Sequence, residues 1–202
     1  MSLPMTKPYA IAAVNAALLV MDYQHGILDN TLCADQARAA LCATAQMLAA
    51  ARETGTQVIY VTLSFRPGYP EVSPNNRVFS GMKAEGRFMQ GAADTAIHPT
   101  VAPKDGEPVV IKHRYGAFSE TDLNTLLRAK GINTLVLCGI STSGVVLSTL
   151  RQAADLDYRI VVAREGCADS DPEVHRVLLD KILVKHAEVR SVPDIAAALH
   201  AA

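Results

Sequence analysis

The stretch TLVLCGISTSGVVLSTLRQAADLDYRIVVA (residues 134–163) contains the pattern that decides the fold. Thr134–Cys138 and Arg159–Ala163 are short, apolar runs, which is typical of strands buried on both faces. Between them, Thr142–Asp155 has the length and composition of a helix that begins at a turn of small residues. Near-continuous apolar strands that alternate with helices indicate a parallel sheet covered by helices.

The same alternation continues outward from this stretch. Further strands are predicted at Ala17–Met21, Gln57–Thr62, Pro108–Lys112 and Ala187–Arg190. Four further helices are predicted. The first runs from about Asp35 to Glu53, with Gly55 as a C-cap, and the second runs from a capping box at Ser119–Asp122 to near Lys130. The third runs from Asp171-Pro172 to about Lys181, and the fourth from about Pro193 to His200. The predicted fold class is α/β, a three-layer α/β/α, doubly wound (Rossmann-like) domain with a mostly parallel sheet.

The chain of 202 residues is predicted to form one domain over residues 15–202, preceded by a flexible N-terminal lead-in over residues 1–14. Residues 64–106 are rich in Pro, Gly, Asn and Ser and have no long periodic segment. We expect a long excursion with one or two short helices there, and excursions of this length are often functional.

Composition excludes several classes of partner. The net charge is −1, and Lys and Arg form no tract, which argues against nucleic acid and anionic membranes. The longest apolar runs, such as Ala16–Met21, are too short to span a bilayer. The four cysteines have no C-x-x-C spacing, so free thiols in a reducing compartment and a cytoplasmic location are predicted.

Motifs for metals and cofactors are also missing. The six histidines are scattered without a zinc-binding spacing. Gly139–Gly144 has the G-x-x-x-x-G spacing after a strand, but Val145-Val146 stands where a phosphate-binding loop needs Lys-Ser/Thr. There is no G-x-G-x-x-G. We therefore predict neither a metal nor a cofactor.

Polar residues follow several of the predicted strands where each strand ends. These are Asp22–His25, Lys112–Tyr115, Gly139–Gly144 and Glu165–Asp169. Ligands of open α/β sheets bind beyond the carboxyl ends of the strands, so an acid, a base and a turn entering a helix converge on one edge. A single Asp at the end of a strand is more often a turn residue, and a single Lys there is more often a solvated residue. The occurrence of both at the same edge of the sheet favours a functional site.

Three motifs resemble one known family. LLVMDYQ (18–24), VVIKHRYGAFSETDL (109–123) and CGISTSGVVLSTLRQAADLDYRIVVAREGCADSDPEVH (138–175) are similar, in this order, to motifs of the isochorismatase-like (cysteine hydrolase) family, and the resemblance covers about residues 15–192. It implies an isochorismatase-like fold and hydrolase activity, with Asp22 and Lys112 at the positions of the family's catalytic Asp and Lys. It also implies a homodimer or higher homo-oligomer.

The chain departs from the family pattern at the nucleophile. Members with amidase-type activity carry a cysteine six residues after the glycine that ends the fourth strand, and the count from Gly139 reaches Val145, which cannot attack a substrate. The backbone amides of Ser141 and Val145 would still form the oxyanion or anion turn. The peptide Ile140–Ser141 is expected to be cis, as is common in the family.

The resemblance leaves three hypotheses. The first is a cysteine-free hydrolase of a small organic molecule, similar to true isochorismatases, with Asp22 as acid/base, Lys112 as electrostatic partner and water as nucleophile. The second is an inactive relative that serves as a small-molecule binder or scaffold. The third is amide hydrolysis with a turn hydroxyl (Ser141, Thr142 or Ser143) as nucleophile, although capping of the helix explains these hydroxyls more simply.

Candidate substrate-binding residues come from the same edge: Gln24, Phe65, Arg66, Tyr115, Phe118, Thr142 and Ser143. Aromatic residues at such positions pack about as often as they bind. Arg66 or Arg114 would suit a substrate carboxylate, which a guanidinium binds through two parallel hydrogen bonds, or would be a solvated side chain.

Overall fold

A computed structural model describes residues 10–201 of the chain. Its strands are β1 (Ala16–Met21), β2 (Gln57–Leu63), β3 (Val109–Lys112), β4 (Thr134–Ile140), β5 (Arg159–Ala168) and β6 (Glu188–Arg190). They form one sheet in the order β3-β2-β1-β4-β5-β6, with every neighbouring pair parallel. Strand order reverses between β1 and β4, which opens a crevice beyond the carboxyl ends of these two strands.

Helices cover both faces of the sheet. They are α1 (His25–Thr31), α2 (Ala34–Glu53), α3 (Arg77–Ala84), α4 (Leu123–Ala129), α5 (Leu147–Asp155), α6 (Pro172–Val177) and α7 (Val192–His200). Apolar residues of α2 and α7 form one core with the sheet, and those of α4 and α5 form the other. Within residues 10–201, no helix is both long and apolar enough to cross a bilayer.

The central strand β1 shows why the sheet is covered on both sides. Leu18 and Val20 belong to the core under α2, while Leu19 and Met21 belong to the core on the opposite face. All four side chains are at most 1% exposed. Successive side chains of a strand point to opposite faces, so a strand that is apolar at every position requires a helical layer on each side.

The predicted fold class is confirmed, and several boundaries need correction. The predicted capping box at Ser119–Asp122 is wrong: α4 begins at Leu123, and the Ser119 hydroxyl accepts a hydrogen bond from Gln152 instead. The predicted helix from Thr142 begins as a π-helical turn, Thr142–Val146, and becomes α-helical at Leu147. Helix α1 was not predicted.

Two strands are longer than predicted by two residues or more. β4 continues to Ile140, and β5 continues from Ala163 to Ala168 after an irregularity in its pairing with β4. The polar residues at the end of β5 resemble a loop in sequence, whereas in the structure Gly139 and Cys167 are in register. This extension brings the end of β5 next to the turn that follows β4.

The excursion over residues 64–106 forms a small subdomain on the carboxyl edge. It contains α3 and two 3₁₀ turns, Ala93–Thr95 and Pro99–Val101. A third apolar cluster holds it together; its buried members are Leu63, Phe65, Tyr69, Val72, Phe79 and Phe88. The expected short helices are therefore present, packed around a core of their own.

Part of the predicted lead-in, residues 1–9, lies outside the described residues. In the remainder, Ile11 is fully buried in the core under α2, and Ala13–Asn15 forms a 3₁₀ turn directly before β1.

Two glycines test how the excursion packs against α1. A Cβ on Gly26 would lie 2.8 Å from Asp94 Cβ and 2.9 Å from the Asp94 carbonyl oxygen, whereas one on Gly81 of α3 would meet nothing within 4 Å. We expect Gly26→Ala to destabilise the protein by roughly 1–3 kcal/mol because the excursion must shift. Gly81→Ala should stabilise it by up to about 1 kcal/mol because alanine favours a helix. Urea unfolding of both variants measures this, and equal effects would contradict the close approach.

Candidate active site

A buried ion pair lies at the carboxyl edge of the sheet. Lys112 Nζ, at the end of β3, is 2.8 Å from Oδ2 of Asp22, the residue that follows β1. Asp22 is 4% exposed and Lys112 2%. Since β2 lies between β1 and β3, the two side chains meet across the end of β2. The sequence prediction that these two residues converge agrees with this geometry.

The backbone at Asp22 is unusual. Its φ is +59°, in the left-handed region, and its N–H donates to the Val61 carbonyl at 2.8 Å. A non-glycine residue held there costs roughly 1–3 kcal/mol and persists where surrounding structure imposes it. Such residues are concentrated at functional sites, so the backbone geometry adds to the burial and the ion pair of Asp22 as support for a functional role.

The Asp22 carboxyl is only partly satisfied. Oδ1 is buried and has no hydrogen-bond partner among the described protein groups, while Oδ2 is bound by Lys112. Burial raises the pKa of Asp22 from its usual value of 3.8, and the nearby Lys112 ammonium opposes that rise. The carboxyl therefore binds a proton more readily than a solvated aspartate does.

The turn after β4 faces the same crevice. The peptide Ile140–Ser141 is cis, as the family resemblance implied. Ser141 Oγ accepts a hydrogen bond from Gly144 N–H at 3.2 Å, and the Ser141 carbonyl accepts one from Val146 N–H at 3.3 Å. Ser141 thus caps the turn, which matches the simpler interpretation of its hydroxyl.

Two residues from the end of β5 and from α6 hold this turn in place. Asp169 Oδ2 accepts a hydrogen bond from Ser143 N–H at 2.7 Å. Thr142 Oγ1 lies 2.8 Å from His175 Nδ1 and donates to the Ala168 carbonyl at 3.2 Å. Thr142 is fully buried, so its hydroxyl faces these partners. The sequence pattern did not single out Asp169 or His175 for this role.

A cavity of about 170 Å³ lies beside the ion pair. Its polar and small lining residues are Asp22, Lys112, Thr31, Ser141 and Gly144. Its apolar lining comes from Ile27, Leu63, Val78, Phe79, Met82, Tyr115, Ile140 and Val145. Five residues proposed from sequence therefore share one cavity: Asp22, Lys112, Tyr115, Ser141 and Val145.

None of the four cysteines lines this cavity. Cys138 and Cys167 are buried, and Cys33 and Cys42 are exposed elsewhere. Burial raises the pKa of the Cys167 thiol to about 12 and that of Cys138 well above its usual range. A thiol with a raised pKa is a poor nucleophile at neutral pH, since the thiolate is the reactive form. Within residues 10–201, no group of three His, Cys, Asp or Glu residues is arranged to hold a metal ion.

The remaining predicted binding residues lie in different places. Tyr115 lines the cavity and stacks on Phe79, with ring centroids 5.0 Å apart. Gln24 is fully buried outside the cavity lining, and its amide bonds both the N–H and the carbonyl of Leu63 and the carbonyl of Thr95. Phe118 stacks on Tyr158, away from the cavity.

Phe65 and Arg66 belong to a neighbouring hollow of about 370 Å³. Phe65 is fully buried in the excursion's own core, and Arg66 forms an ion pair with Glu71. Arg114 donates to the carbonyls of Glu71 and His113. The two arginines considered for a substrate carboxylate are therefore engaged with protein groups outside the cavity.

Sequence reasoning missed helix α1, and it did not assign the short helix α3 of the excursion to the cavity wall. Val78, Phe79 and Met82 of α3 and Ile27 of α1 all line it. The spacing of Val78, Phe79 and Met82 puts them on one helical face, a signal that the Pro- and Gly-rich surroundings obscured.

Comparison with known proteins identifies the family. Residues 16–194 match the model of the isochorismatase domain. The chain belongs to the isochorismatase family. An uncharacterized member from Escherichia coli O157:H7, YecD, is 33% identical over 93% of this chain and 97% of its own length.

Other proteins similar to this chain carry a named activity or have a solved structure. The ureidoacrylate amidohydrolase RutB of Azorhizobium caulinodans is 32% identical over 83% of this chain and 82% of its own length. A cysteine hydrolase from Pseudomonas syringae pv. phaseolicola superposes with a TM-score of 0.91, covering 100% of this chain and 99% of that one, at 22% identity. This last likeness concerns the fold.

The buried ion pair makes a stability prediction. We expect Asp22→Asn and Lys112→Met each to destabilise the fold by roughly 3–5 kcal/mol, because each leaves one buried charge without its partner. The double variant should lose less free energy of unfolding than the two single variants lose together, because neither buried charge then remains. Urea unfolding of all four proteins measures the coupling. Additive losses would show that the two side chains act independently.

Proposed function

We propose that this chain hydrolyses a small organic molecule with Asp22 as acid/base, Lys112 as its electrostatic partner and water as the nucleophile. The observation that supports this most directly is Asp22 Oδ1, a buried carboxyl oxygen on a residue that lines the cavity, for which residues 10–201 offer no hydrogen-bond partner. A buried polar atom without a partner costs free energy, so its position beside a cavity favours a functional use. Substrate or water would complete its bonding.

The proposed reaction begins with a proton on Asp22. The carboxyl donates that proton to the substrate, the bond to the leaving group breaks, and water attacks the electrophilic carbon. The attacking water then returns a proton to the Asp22 carboxylate, which restores the starting state. Lys112 stabilises the carboxylate form at 2.8 Å while the proton is away. General acid–base catalysis of this kind contributes about 10²–10⁴-fold to a rate.

The position of Val145 is the reason for proposing water. Its side chain lines the cavity and supplies no reacting atom. Two of the three turn hydroxyls have other partners: Ser141 Oγ accepts from Gly144 N–H, and Thr142 Oγ1 is bound to the Ala168 carbonyl and to His175. These contacts favour water over a turn hydroxyl as nucleophile.

The turn would stabilise developing negative charge. We propose that the backbone amides of Ser141 and Val145 form the anion-binding turn, since both residues line the cavity beside Asp22. Donors fixed before the reaction begins stabilise an oxyanion most effectively. The contacts of Asp169 with Ser143 and of His175 with Thr142 support such fixed donors.

Setting and assembly follow from the family resemblance. We propose a cytoplasmic enzyme that needs no cofactor and works as a homodimer or higher homo-oligomer. The edge strand β3 exposes two large apolar side chains, Val109 and Ile111, each close to half exposed, which supports a contact between copies.

Of the aromatic residues that the sequence proposes for substrate binding, we retain Tyr115, because it lines the cavity.

A hydrolysis panel tests the function. The purified protein is assayed with vinyl ethers, small primary amides and ureas, the amides because a relative is named an amidohydrolase. We expect turnover of at least one class, and a loss of about 10²–10⁴-fold in kcat for Asp22→Asn because the proton donor is gone. Circular dichroism confirms that the variant is folded.

Several controls separate the alternatives. Alkylation by iodoacetamide, and the exchange of Cys33 and Cys42 for Ser, should leave the rate unchanged. Retained turnover in a Ser141/Thr142/Ser143 triple alanine variant excludes a turn hydroxyl. No turnover across the panel from folded protein would favour a binding or scaffold role, and turnover unaffected by Asp22→Asn would place the site elsewhere.

The pH–rate profile distinguishes an acid from a base. Burial raises the pKa of Asp22 above 3.8, so an acid role gives a full rate below that raised pKa and a falling rate as the pH increases through it. In Lys112→Met the opposing charge is absent, and the falling limb should move to higher pH. A rate that instead rises with pH through the same limb would assign Asp22 the role of base.

A further inference from the structure

The cavity beside the ion pair contains one acid and one base, which compensate each other when both are ionised. Of the described residues that line it, Asp22 and Lys112 are the only ones with a carboxyl or an amino group, and Lys112 Nζ lies 2.8 Å from Asp22 Oδ2. Both residues are at most 4% exposed, so solvent screens their charges little. A further charge that enters the cavity therefore acts strongly on both.

A small anion meets opposing groups in this cavity. The Lys112 ammonium attracts it, and the backbone amides of Ser141 and Val145, which we propose as the anion-binding turn, would donate to it. An ionised Asp22 repels it and already compensates Lys112. While Asp22 is ionised, an entering anion thus leaves one negative charge uncompensated in buried surroundings, which is costly.

Protonation of Asp22 removes this conflict. Oδ2 is bound by Lys112, whereas Oδ1 is buried and has no hydrogen-bond partner within residues 10–201, so a proton can occupy Oδ1 without breaking a bond. Burial already raises the pKa of Asp22, and the Lys112 ammonium opposes that rise. An anion beside Lys112 weakens this opposition, because its charge balances the ammonium in place of the carboxylate.

We infer that the cavity binds a small organic anion together with one proton, which Asp22 takes up at Oδ1. The proton comes from solvent, so the net charge of the cavity is the same before and after binding. The inference rests on the proposed function, because it places the anion at the proposed turn and the proton on the proposed acid. It adds that an anionic ligand itself puts the acid into the protonated state with which the reaction begins.

The other titratable groups nearest to Asp22 stay neutral near neutral pH. Tyr115 lines the cavity, and burial raises the pKa of its phenol. Burial also raises the pKa of Tyr23, the next residue in the chain, and that of Cys138 on β4. None of the three gains or loses a proton when an anion binds near neutral pH.

The charged or titratable residues of the adjoining elements are outside the cavity lining. On the helices they are His25 and Asp29 of α1 and Arg77 and Lys83 of α3. Next to the strand ends they are His113, Arg114, Asp169 and His175, each bonded to another protein group. Burial lowers the pKa of His175 below its usual 6.5, so it is neutral at higher pH. The proton is therefore assigned to Asp22.

Calorimetric titration of the wild-type protein with benzoate tests the proton uptake. At about 170 Å³ the cavity compares with an apolar cavity of about 150 Å³ that binds benzene, so the ring suits its apolar part. We expect uptake of about one proton for each benzoate bound, measured in buffers of different ionisation enthalpy. The Kd should increase about tenfold for each unit of pH between about pH 6.5 and 8.5, because only the protonated fraction binds the anion.

Benzyl alcohol, which is similar in shape and uncharged, is the control ligand. Its Kd should not change with pH, and its binding should take up no proton. A Kd for benzoate that does not change with pH, the absence of proton uptake, or the absence of benzoate binding at the lower pH would each overturn the inference. The same pH dependence for both ligands would also overturn it, because the proton would then follow shape and not charge.

Asp22→Asn is the matched variant, since asparagine has nearly the size of a protonated aspartate and no charge. We expect it to bind benzoate at about pH 8.5 as tightly as the wild type does at about pH 6.5, without proton uptake. Lys112→Met should bind benzoate at least about tenfold more weakly than the wild type at the lower pH, because the cation is gone. A pH dependence retained in Asp22→Asn would place the proton on another group.

The two proposals fail separately. Benzoate binding needs no turnover, and the wild-type titration needs neither variant to fold. Proton-coupled binding without hydrolysis of any substrate in the panel would keep the binding inference and leave the proposed reaction without support. Turnover that depends on Asp22, together with benzoate binding that is independent of pH, would keep the reaction and refute the coupling.

Discussion

The Lys112–Asp22 ion pair is the interaction on which the site depends. The pair crosses two interstrand spacings, about 10 Å in a parallel sheet, and the end of β2 lies beneath it. Gln24 fixes that strand end by bonding both the N–H and the carbonyl of Leu63. The left-handed backbone at Asp22 and the length of the Lys112 side chain then let the two charges meet. Gln24, two residues after Asp22 in the chain, therefore supports the site by holding the end of β2 over which the ion pair lies.

The opposing influences on Asp22 explain why such a pair suits acid/base work. Burial favours the neutral carboxyl, and the ammonium favours the carboxylate. A group held between two such influences can pass a proton in either direction at little cost. The fold maintains both by burying the pair beside the crevice that opens where strand order reverses between β1 and β4.

Sequence alone predicts the layers and the convergence of Asp22, Lys112 and the turn after β4, because apolar strands and the residues that end them are local signals. Other features depend on distant partners. Ser119 fits a capping box in sequence, yet Gln152 of α5 binds its hydroxyl. The end of β5 looks polar, yet pairing with β4 extends it. The apolar face of helix α3 packs, through Phe79, on a core that also contains Phe65 and Phe88. These residues are distant in sequence, so a local pattern does not reveal the contact.

The excursion has an evolutionary consequence. The reacting groups come from strand ends of the sheet, whereas much of the apolar wall comes from α3, which lies in a separate subdomain with its own small core. Catalysis and recognition are thus encoded in different parts of the chain. Substitutions on the cavity face of α3 can change which molecule fits while the sheet, its two main cores and the ion pair stay intact. Divergence of substrate within one scaffold then requires few mutations, all in the excursion.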